Sequence, residues 1–331
     1  PTPPPPPPSP LLPPSPPPPP SPPPPSPAPP PVTPAEELEA WQAIFDALNV
    51  KDSKCCADFR DDPCGCTKKP PHFPRELKSV VSCYSGKELY GIDFSGCGIS
   101  GALPGPPLLK LKYMQVISLF DNPNLEGPVP PEVFQMPQLV YFTLENAPKL
   151  TGTIPETLSN AQCLTHLYIR NSKISGTIPD VSGVTGEKCI LSGFPKTLQT
   201  LRLDRNELTG TIPDGIWTTQ TDLKELNLAK NQLTGSLPAR VPGGKTIEVF
   251  NLGTNHLSGT LPAAWVDDLI NHRLEIDIRE QTDKKTGTRT SLTGSLPPEW
   301  SGMKNLWKLT MQYNEAMTGT IPAEYADIPD F

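Results

Sequence analysis

Apolar residues recur along most of the chain in the pattern L-x-x-L-x-L-x-x-N-x-L-x-G-x-[I/L/V]-P. Nine segments carry the final Gly-x-[I/L/V]-Pro, and successive glycines are 26, 25, 24, 34, 25, 24, 35 and 25 residues apart. The alternation in L-x-L predicts a short strand that turns its leucines into a core and its x residues onto an exposed face. A period near 25 residues predicts a solenoid with one such strand per turn. The clearest copy consists of Leu198, Leu201, Leu203, Asn206, Leu208, Gly210, Ile212 and Pro213.

The asparagine of the pattern predicts a ladder of side chains that hydrogen-bond the backbone of the turn leaving each strand. Ala147 cannot make this bond, so we expect the ladder to be weakest in its repeat. The glycine permits a tight turn, and the following proline suits an edge position. Where the asparagine position can be aligned, it reads Cys97, Asn122, Ala147, Ser172, Asn206, Asn231, Asn255 and Asn314.

The residues before the first repeat predict a cap for the open end of the solenoid. In the segment 36–49, apolar residues recur at the i, i+3, i+4 spacing of an amphipathic helix, and cysteines follow it. The first hydrophobic layer of a solenoid must be covered, so a structural role suffices. At the other end no cap is recognisable, and we expect the chain to continue past Phe331 or a partner to cover that end.

The consensus L-x-G-x-I-P resembles plant-type extracellular leucine-rich repeats over roughly residues 35–331. The resemblance implies an α/β solenoid, a right-handed superhelix with a parallel concave β-sheet and a second layer of short strands. Asp62-Pro63-Cys64-Gly65-Cys66 is similar to the cysteine-bearing cap of that family. We therefore expect three regions: a proline-rich arm at 1–34, the cap at 35–88 and nine repeats at 89–331.

The arm stands out by composition, since 24 of the 48 prolines of this 331-residue chain lie within residues 1–34. Consecutive prolines are restricted to polyproline II, so the arm is predicted to be a rod preceding the solenoid. One interpretation of the arm is a stiff linker or a ligand for SH3- or WW-type domains. Its Ser-Pro4/5 blocks resemble extensins and algal wall glycoproteins, which implies hydroxylation of proline and O-glycosylation. The implied positions are Ser9, Ser15, Pro16, Pro17, Pro18, Pro19, Pro20, Ser21, Pro22, Pro23, Pro24, Pro25 and Ser26.

The eight cysteines favour disulfides and an oxidising compartment, because their number is even and they cluster in the cap. Pairing of Cys163 with Cys189 is predicted, since it would fasten the longer segment between two repeats. The connectivity of the other six is left open. A metal site is the weaker alternative, because zinc ligands are usually paired at spacings of two to four residues.

No sequence motif for catalysis is present, so we predict that the protein is not an enzyme and needs no cofactor. The formal net charge of −7 argues against nucleic acid as a partner, and the chain has no apolar run long enough to span a membrane. What remains is the concave face, where aromatic and arginine side chains favour binding. Ordinary variation on a solvated sheet is the competing explanation. The candidate binding residues are Phe120, Tyr141, His166, Tyr168, Arg170, Arg202 and Asp204.

Two insertions interrupt the period and are further candidates for contact. Residues 180–197 contain Ile190, Leu191 and Phe194, typical of a packed contact element, and residues 279–291 contain Lys284, Lys285 and Arg289, typical of a mobile basic loop.

Together these features favour a secreted extracellular-matrix, cell-wall or cell-surface glycoprotein resembling leucine-rich-repeat extensins, although in that family the proline-rich part follows the repeats. Its arm would anchor the protein or self-associate into fibres, and its repeats would bind protein or cell-wall polysaccharide. Two alternatives are the ligand-sensing ectodomain of a receptor and an inhibitor of a wall-degrading enzyme.

Overall fold

The L-x-L segments form the strands of one long sheet in this structure, a computed structural model. It describes residues 34–66, 80–84, 88–187, 189, 197–241, 246–268, 274–281 and 292–329. By its contacts the chain divides after Pro31, and every described residue lies in the second unit, Val32–Phe331. The polyproline prediction for the arm and the apolar and basic residues singled out in the two insertions lie outside the described residues.

Eighteen strands are described, and they alternate between a long sheet and a layer of short pairs. In chain order they are β1 (Val81–Tyr84), β2 (Glu88–Asp93), β3 (Ser100–Gly101), β4 (Val116–Ser118), β5 (Asn124–Gly127), β6 (Tyr141–Glu145), β7 (Lys149–Leu150), β8 (His166–Arg170), β9 (Ser175–Gly176), β10 (Thr200–Arg202), β11 (Glu207–Leu208), β12 (Glu225–Asn227), β13 (Thr234–Ser236), β14 (Val249–Asn251), β15 (His256–Thr260), β16 (Leu274–Asp277), β17 (Leu292–Thr293) and β18 (Leu306–Thr310).

One longer helix precedes the first strand, and short helical segments connect strands of successive repeats. The α-helices are α1 (Pro34–Ala47), α2 (Gly105–Leu108), α3 (Asp214–Thr218) and α4 (Trp265–Asp268). The 3₁₀ turns are Val50–Asp52, Pro63–Gly65, Pro131–Gln135, Glu156–Asn160, Pro298–Gly302 and Ala323–Asp327.

The long sheet has ten strands in the order β1-β2-β4-β6-β8-β10-β12-β14-β16-β18. Among the described strands of this sheet, β1 and β2 pair antiparallel and every later pair of neighbours is parallel, one strand per repeat. The parallel register is regular except between β16 and β18, where it shifts between Leu274 and Glu275. The short strands pair in parallel as β3-β5-β7, β11-β9 and β13-β15-β17. The predicted α/β solenoid with a second short-strand layer is confirmed.

The repeat glycine has a backbone and a packing reason, both visible at Gly210. Its φ is 76°, in the left-handed region that favours glycine. A Cβ atom there would lie 2.9 Å from Cγ2 of Thr177 in the preceding repeat. The glycine therefore lets neighbouring turns approach closely.

The asparagine ladder forms as expected, and Asn231 is representative. Its Nδ2 donates to the carbonyl oxygens of Leu203 and Leu228, each at 2.9 Å, and its Oδ1 accepts from Leu208 N at 3.1 Å. Gln281 makes equivalent bonds to Leu252 O and Leu257 N, a substitution that the consensus did not identify. The ladder thus holds backbone groups of two neighbouring repeats together.

The ladder is interrupted where the sequence places short side chains. Ala147 is fully buried, and the Ser172 hydroxyl donates only to Arg170 O in its own turn. Within the described part of the chain, Oδ1 of the following Asn206 is buried without a hydrogen-bond partner. The weakened segment therefore extends from Ala147 to Asn206.

The cap is held by a helix and three disulfides. Helix α1 buries Ala40, Trp41, Ile44 and Phe45, as the i, i+3, i+4 spacing predicts. All eight cysteines are paired, as Cys55–Cys97, Cys56–Cys66, Cys64–Cys83 and Cys163–Cys189. The first of these bonds reaches past residue 88 and ties the cap to the first repeat.

Removing the Cys163–Cys189 bond with the double variant Cys163→Ala/Cys189→Ala is expected to lower the free energy of unfolding by about 3.5 kcal/mol, the chain-entropy value for a loop of this size. The bond closes a loop with a sequence separation of 26 residues. Urea unfolding followed by circular dichroism would measure the loss. An unchanged midpoint would mean that the segment is held without the bond.

Candidate functional site

The outward side chains of β6, β8 and β10 form three aligned rows because these strands pair in parallel register. Tyr141, His166 and Thr200 are directly opposite in the first row. Thr143, Tyr168 and Arg202 are opposite in the second row. Glu145 and Arg170 are opposite in the third row. Residues far apart in sequence are thereby brought onto one surface, which we call the sheet face.

Three rings on the sheet face form an aromatic patch, Tyr141, His166 and Tyr168. The Tyr141 centroid lies 5.7 Å from that of His166 and 5.3 Å from that of Tyr168. His166 and Tyr168 are nearly parallel, with an interplanar angle of 18°. All three are half-buried. The sequence prediction placed these rings together, and the structure does so.

The patch carries little charge at neutral pH. Burial lowers the pKa of His166, and the nearby Lys224 lowers it further, so the imidazole is neutral at pH 7. Burial likewise raises the pKa of the Tyr168 hydroxyl, against a hydrogen bond to Thr200. The rings therefore present an uncharged surface with hydroxyl groups at its margin.

Arg202 covers one side of the patch. Its guanidinium carbon lies 5.4 Å from the Tyr168 centroid, within the range of a cation–π contact. Its Nε and Nη2 donate to the two carboxylate oxygens of Glu225 at 2.6 and 2.7 Å. The bidentate geometry fixes the guanidinium over the ring and neutralises its charge. Glu225 was missed as a site residue, although it lies directly opposite Thr200 in the register.

A separate ion network lies along the third row, centred on Arg170. Its Nη1 is 3.3 Å from Oε2 of Glu145, and its Nη2 donates to Oδ2 of Asp204 at 3.1 Å. Burial raises the pKa of Glu145, and the charge of Arg170 opposes that rise. The Asp204 side chain is only 4% exposed, and Arg170 is the cation that contacts both of these largely buried carboxylates, while Arg205 Nε lies farther from Asp204 at 3.8 Å.

One predicted residue, Phe120, lies apart from the aromatic patch. Phe120 lies in the third row, on the segment that follows β4, and among the described residues it makes no ring contact with the aromatic patch. Its separation follows from the register, because Tyr141 and His166 occupy the first row. The seven candidates therefore divide into the patch with Arg202, the ion network of Arg170 and Asp204, and Phe120 by itself.

The ion network continues into a polar cavity of about 340 Å³ over the later strands. Asp277 and Arg279 line it, and the Arg279 Nε donates to both carboxylate oxygens of Asp277 at 3.1 and 2.9 Å. Sequence reasoning missed this strand because Ile276-Asp277-Ile278 lacks leucine and Gln281 replaces the ladder asparagine. The remaining lining residues include Arg205, Lys230, Asn251, Thr254, Glu280 and Tyr313.

A second cavity of about 350 Å³ lies at the cap, between α1 and the first strands. Glu37 borders it, and its carboxylate accepts a hydrogen bond from Leu89 N at 2.9 Å. Burial raises the pKa of this carboxyl group against that bond.

Two searches of the described residues bear on other classes of site. No group of three or more His, Cys, Asp or Glu side chains in the ranges given above is arranged to hold a metal ion. In the same ranges, no helix has the length and apolar character needed to cross a membrane.

The fold is that of a leucine-rich repeat solenoid, and it is stabilised by disulfides of the kind formed outside the cytosol. Residues 197–218 and 222–243 match the leucine-rich repeat family.

Solved structures of plant receptor ectodomains are similar to this chain. The peptide hormone receptor RGFR1 in complex with RGF2 matches with a TM-score of 0.60 and 25% identity, over 73% of this chain and 38% of that one. The Arabidopsis receptor kinase HAESA ectodomain, in complex with an IDA peptide hormone, matches with a TM-score of 0.56 and 28% identity, over 69% of this chain and 34% of that one. The present chain thus spans well under half the length of these receptors.

A third structure shares the fold at a similar size. A plant ice-binding protein matches with a TM-score of 0.57 and 24% identity, over 87% of this chain and 89% of that one. This likeness concerns the fold alone. The disulfides and the receptor-ectodomain likeness indicate an extracellular protein.

Proposed function

We propose that the repeat domain is an extracellular recognition domain that binds a peptide or protein segment on the sheet face over β6, β8 and β10. The observation that carries the proposal is the aromatic patch, with Arg202 fixed over it by Glu225. Tyrosine and arginine side chains held in place by their neighbours lose little conformational entropy on binding, which is why they dominate protein interfaces.

The similar structures support a peptide ligand, since RGFR1 and HAESA were each solved with a peptide hormone. The polar cavity begins at Arg170 and Asp204, so an extended segment that leaves the rings across the ion network would meet charged side chains next. This favours the receptor-ectodomain interpretation over the purely structural one.

The Ser-Pro blocks of residues 9–27 favour a second candidate, a cell-wall glycoprotein whose repeats bind protein or wall polysaccharide. Both candidates require the same sheet face, and they differ in what anchors the protein. Intact-mass measurement of the natural protein separates them, because hydroxylation adds 16 Da per proline and glycosylation adds sugar masses.

The sheet-face proposal can be tested by selecting displayed random 12-residue peptides on the full chain. We expect a convergent sequence whose dissociation constant rises at least about tenfold in Tyr168→Ala/Arg202→Ala, since a hot-spot side chain contributes more than about 1.4 kcal/mol.

Trp307→Ala/Arg240→Ala is a matched control, because Trp307 is 38% exposed on the last strand and Arg240 forms an exposed pair with Asp268. It should bind as the wild-type chain does. Convergent peptides that bind the Tyr168→Ala/Arg202→Ala chain equally well would place the site elsewhere, and a selection without convergence would contradict the proposal.

A further inference from the structure

We propose that the aromatic patch binds a polyproline II segment, and that its occupant is the proline-rich arm of a second copy of this chain. The inference rests on the proposed function, because it assigns a partner to the same surface. It is carried by the shape of the patch, by its charge and by the sequence of the 33 residues that precede the described region.

The shape argument concerns the rings. Polyproline segments bind in shallow grooves between aromatic side chains, where proline rings pack against the ring faces. The Tyr141 and Tyr168 rings are inclined at 41° to each other with centroids 5.3 Å apart, and the nearly parallel His166 ring extends this surface along the first row. Val116 on β4 is directly opposite Tyr141 but is only 6% exposed, so the accessible apolar surface consists of the rings themselves.

One proline block is long enough to cross the surface. Neighbouring strands lie about 4.8 Å apart, so the rings on β6 and β8 together with Arg202 on β10 span about 10 Å. Polyproline II rises about 3.1 Å per residue, so the five prolines from Pro16 to Pro20 span about 15 Å. A block of four or five prolines would therefore cross the patch and Arg202 from one side to the other.

The charge argument concerns both partners. A proline has no N–H, so a polyproline segment offers only carbonyl acceptors, and its binding surface must supply donors. Arg202 donates from Nε and Nη2 to Glu225, which leaves Nη1, beside the Tyr168 ring, as a donor for a proline carbonyl. His166 is neutral at pH 7 and Arg202 is neutralised by Glu225, so the surface suits an uncharged ligand.

The proline-rich arm is an uncharged segment with consecutive prolines, as the patch requires. No charged residue precedes Glu36, and the two blocks Pro16 to Pro20 and Pro22 to Pro25 are separated by a single serine. Consecutive prolines make a stiff segment that resists folding back, which favours the arm of another copy over the chain's own arm. Association between copies would then join the arm of one to the repeats of the next.

A synthetic peptide of residues 13–27 is the direct probe. We expect it to bind the full chain, with a dissociation constant raised at least tenfold in Tyr168→Ala and in Tyr141→Ala, and unchanged in Trp307→Ala. The same peptide with glycine at positions 16–20 and 22–25 should not bind, because it loses the polyproline preference. Circular dichroism of both tyrosine variants would verify that each is folded.

Sedimentation equilibrium of the full chain identifies the occupant. Concentration-dependent association that Tyr168→Ala weakens and the 13–27 peptide competes away would support the arm of a second copy. Association unaffected by Tyr168→Ala would indicate contacts between arms and would overturn the inference. If the chain stays monomeric at all concentrations and its patch binds the peptide only weakly, the chain's own arm occupies the patch. That result would also overturn the inference.

The two proposals can fail separately. If the selected 12-residue peptides depend on Tyr168 but the 13–27 peptide does not bind, the sheet face remains a recognition site and the polyproline assignment is wrong. If neither class of peptide depends on Tyr168, both proposals are wrong.

Discussion

Trp300→Ala is expected to lower the free energy of unfolding by about 3–5 kcal/mol, the range for truncating a large buried aromatic side chain. Trp300 is fully buried, and its ring stacks on that of Trp265 at 5.4 Å with an interplanar angle of 8°. Its Nε1 donates to the carbonyl oxygen of Pro262 in the preceding repeat at 3.0 Å. The substitution removes packing and a hydrogen bond between repeats at once.

The same contact recurs in neighbouring repeats, which explains the expected size of the effect. Trp265 Nε1 donates to Pro238 O at 2.8 Å, and the Tyr325 hydroxyl donates to Pro297 O at 2.9 Å. Each aromatic residue thus bonds the proline carbonyl of the preceding repeat. In a solenoid these interfaces between neighbours carry much of the stability.

Trp300→Phe is the matched control, because it keeps a ring in the stack and removes the donor. We expect a smaller loss of about 1–3 kcal/mol, the cost of leaving the Pro262 carbonyl unpaired. Thermal and urea unfolding would measure both variants. A Trp300→Ala chain within 1 kcal/mol of the wild type would show that the C-terminal repeats contribute little to the measured transition.

The repeat fold could be predicted from sequence because its determinants are local and repeated. The glycine, the ladder asparagine and the alternating leucines each act within one turn or on the next. The proline-to-aromatic bond has a local signal too, since Trp265, Trp300 and Tyr325 each stand three residues after the repeat proline. In earlier repeats Leu158 and Ile216 occupy that position, so comparing the repeats does not show a preference for an aromatic residue there.

The binding surface was predictable only in part. Period-two alternation determines which side chains face outward, so the aromatic patch could be anticipated from Tyr141, His166 and Tyr168. Which outward side chains meet depends on register and on side-chain conformation across strands. Phe120 therefore lies apart from the rings with which the sequence grouped it, and Glu225 was missed even though it fixes Arg202. The strand of Asp277 was missed because Ile276-Asp277-Ile278 lacks the leucines of the pattern and Gln281 replaces the ladder asparagine.

Arg170→Ala is expected to lower the free energy of unfolding at pH 7 by about 3 kcal/mol, the low end of the range for removing one partner of a buried ion pair. The low end applies because the Arg170 side chain is 28% exposed, while Glu145 and Asp204 are 13% and 4% exposed. The loss arises because two largely buried carboxylates remain without their shared cation.

The loss should depend on pH with a defined sign. In the wild-type protein burial already raises the pKa of Glu145, and Arg170 opposes the rise. Without Arg170 the pKa of Glu145 in the folded protein rises further above its unfolded value near 4.5. The folded protein therefore binds the Glu145 proton more tightly than the unfolded chain does. Stability of the variant therefore falls more steeply than that of the wild type as pH rises from about 4.5 towards 7, and the deficit shrinks on acidification.

Arg205→Ala is the matched control for this series, because Arg205 is 51% exposed and its Nε lies 3.8 Å from the same Asp204 carboxylate. We expect it to cost less than about 1 kcal/mol, as exposed ion pairs do. Urea unfolding of the three proteins between pH 4.5 and 7 would measure the difference. Equal losses for the two variants, or a deficit of Arg170→Ala that is constant across this range, would show that Arg170 does not compensate buried charge. The residue would then be available to a ligand, and the sheet face would have an accessible cation beside the aromatic patch.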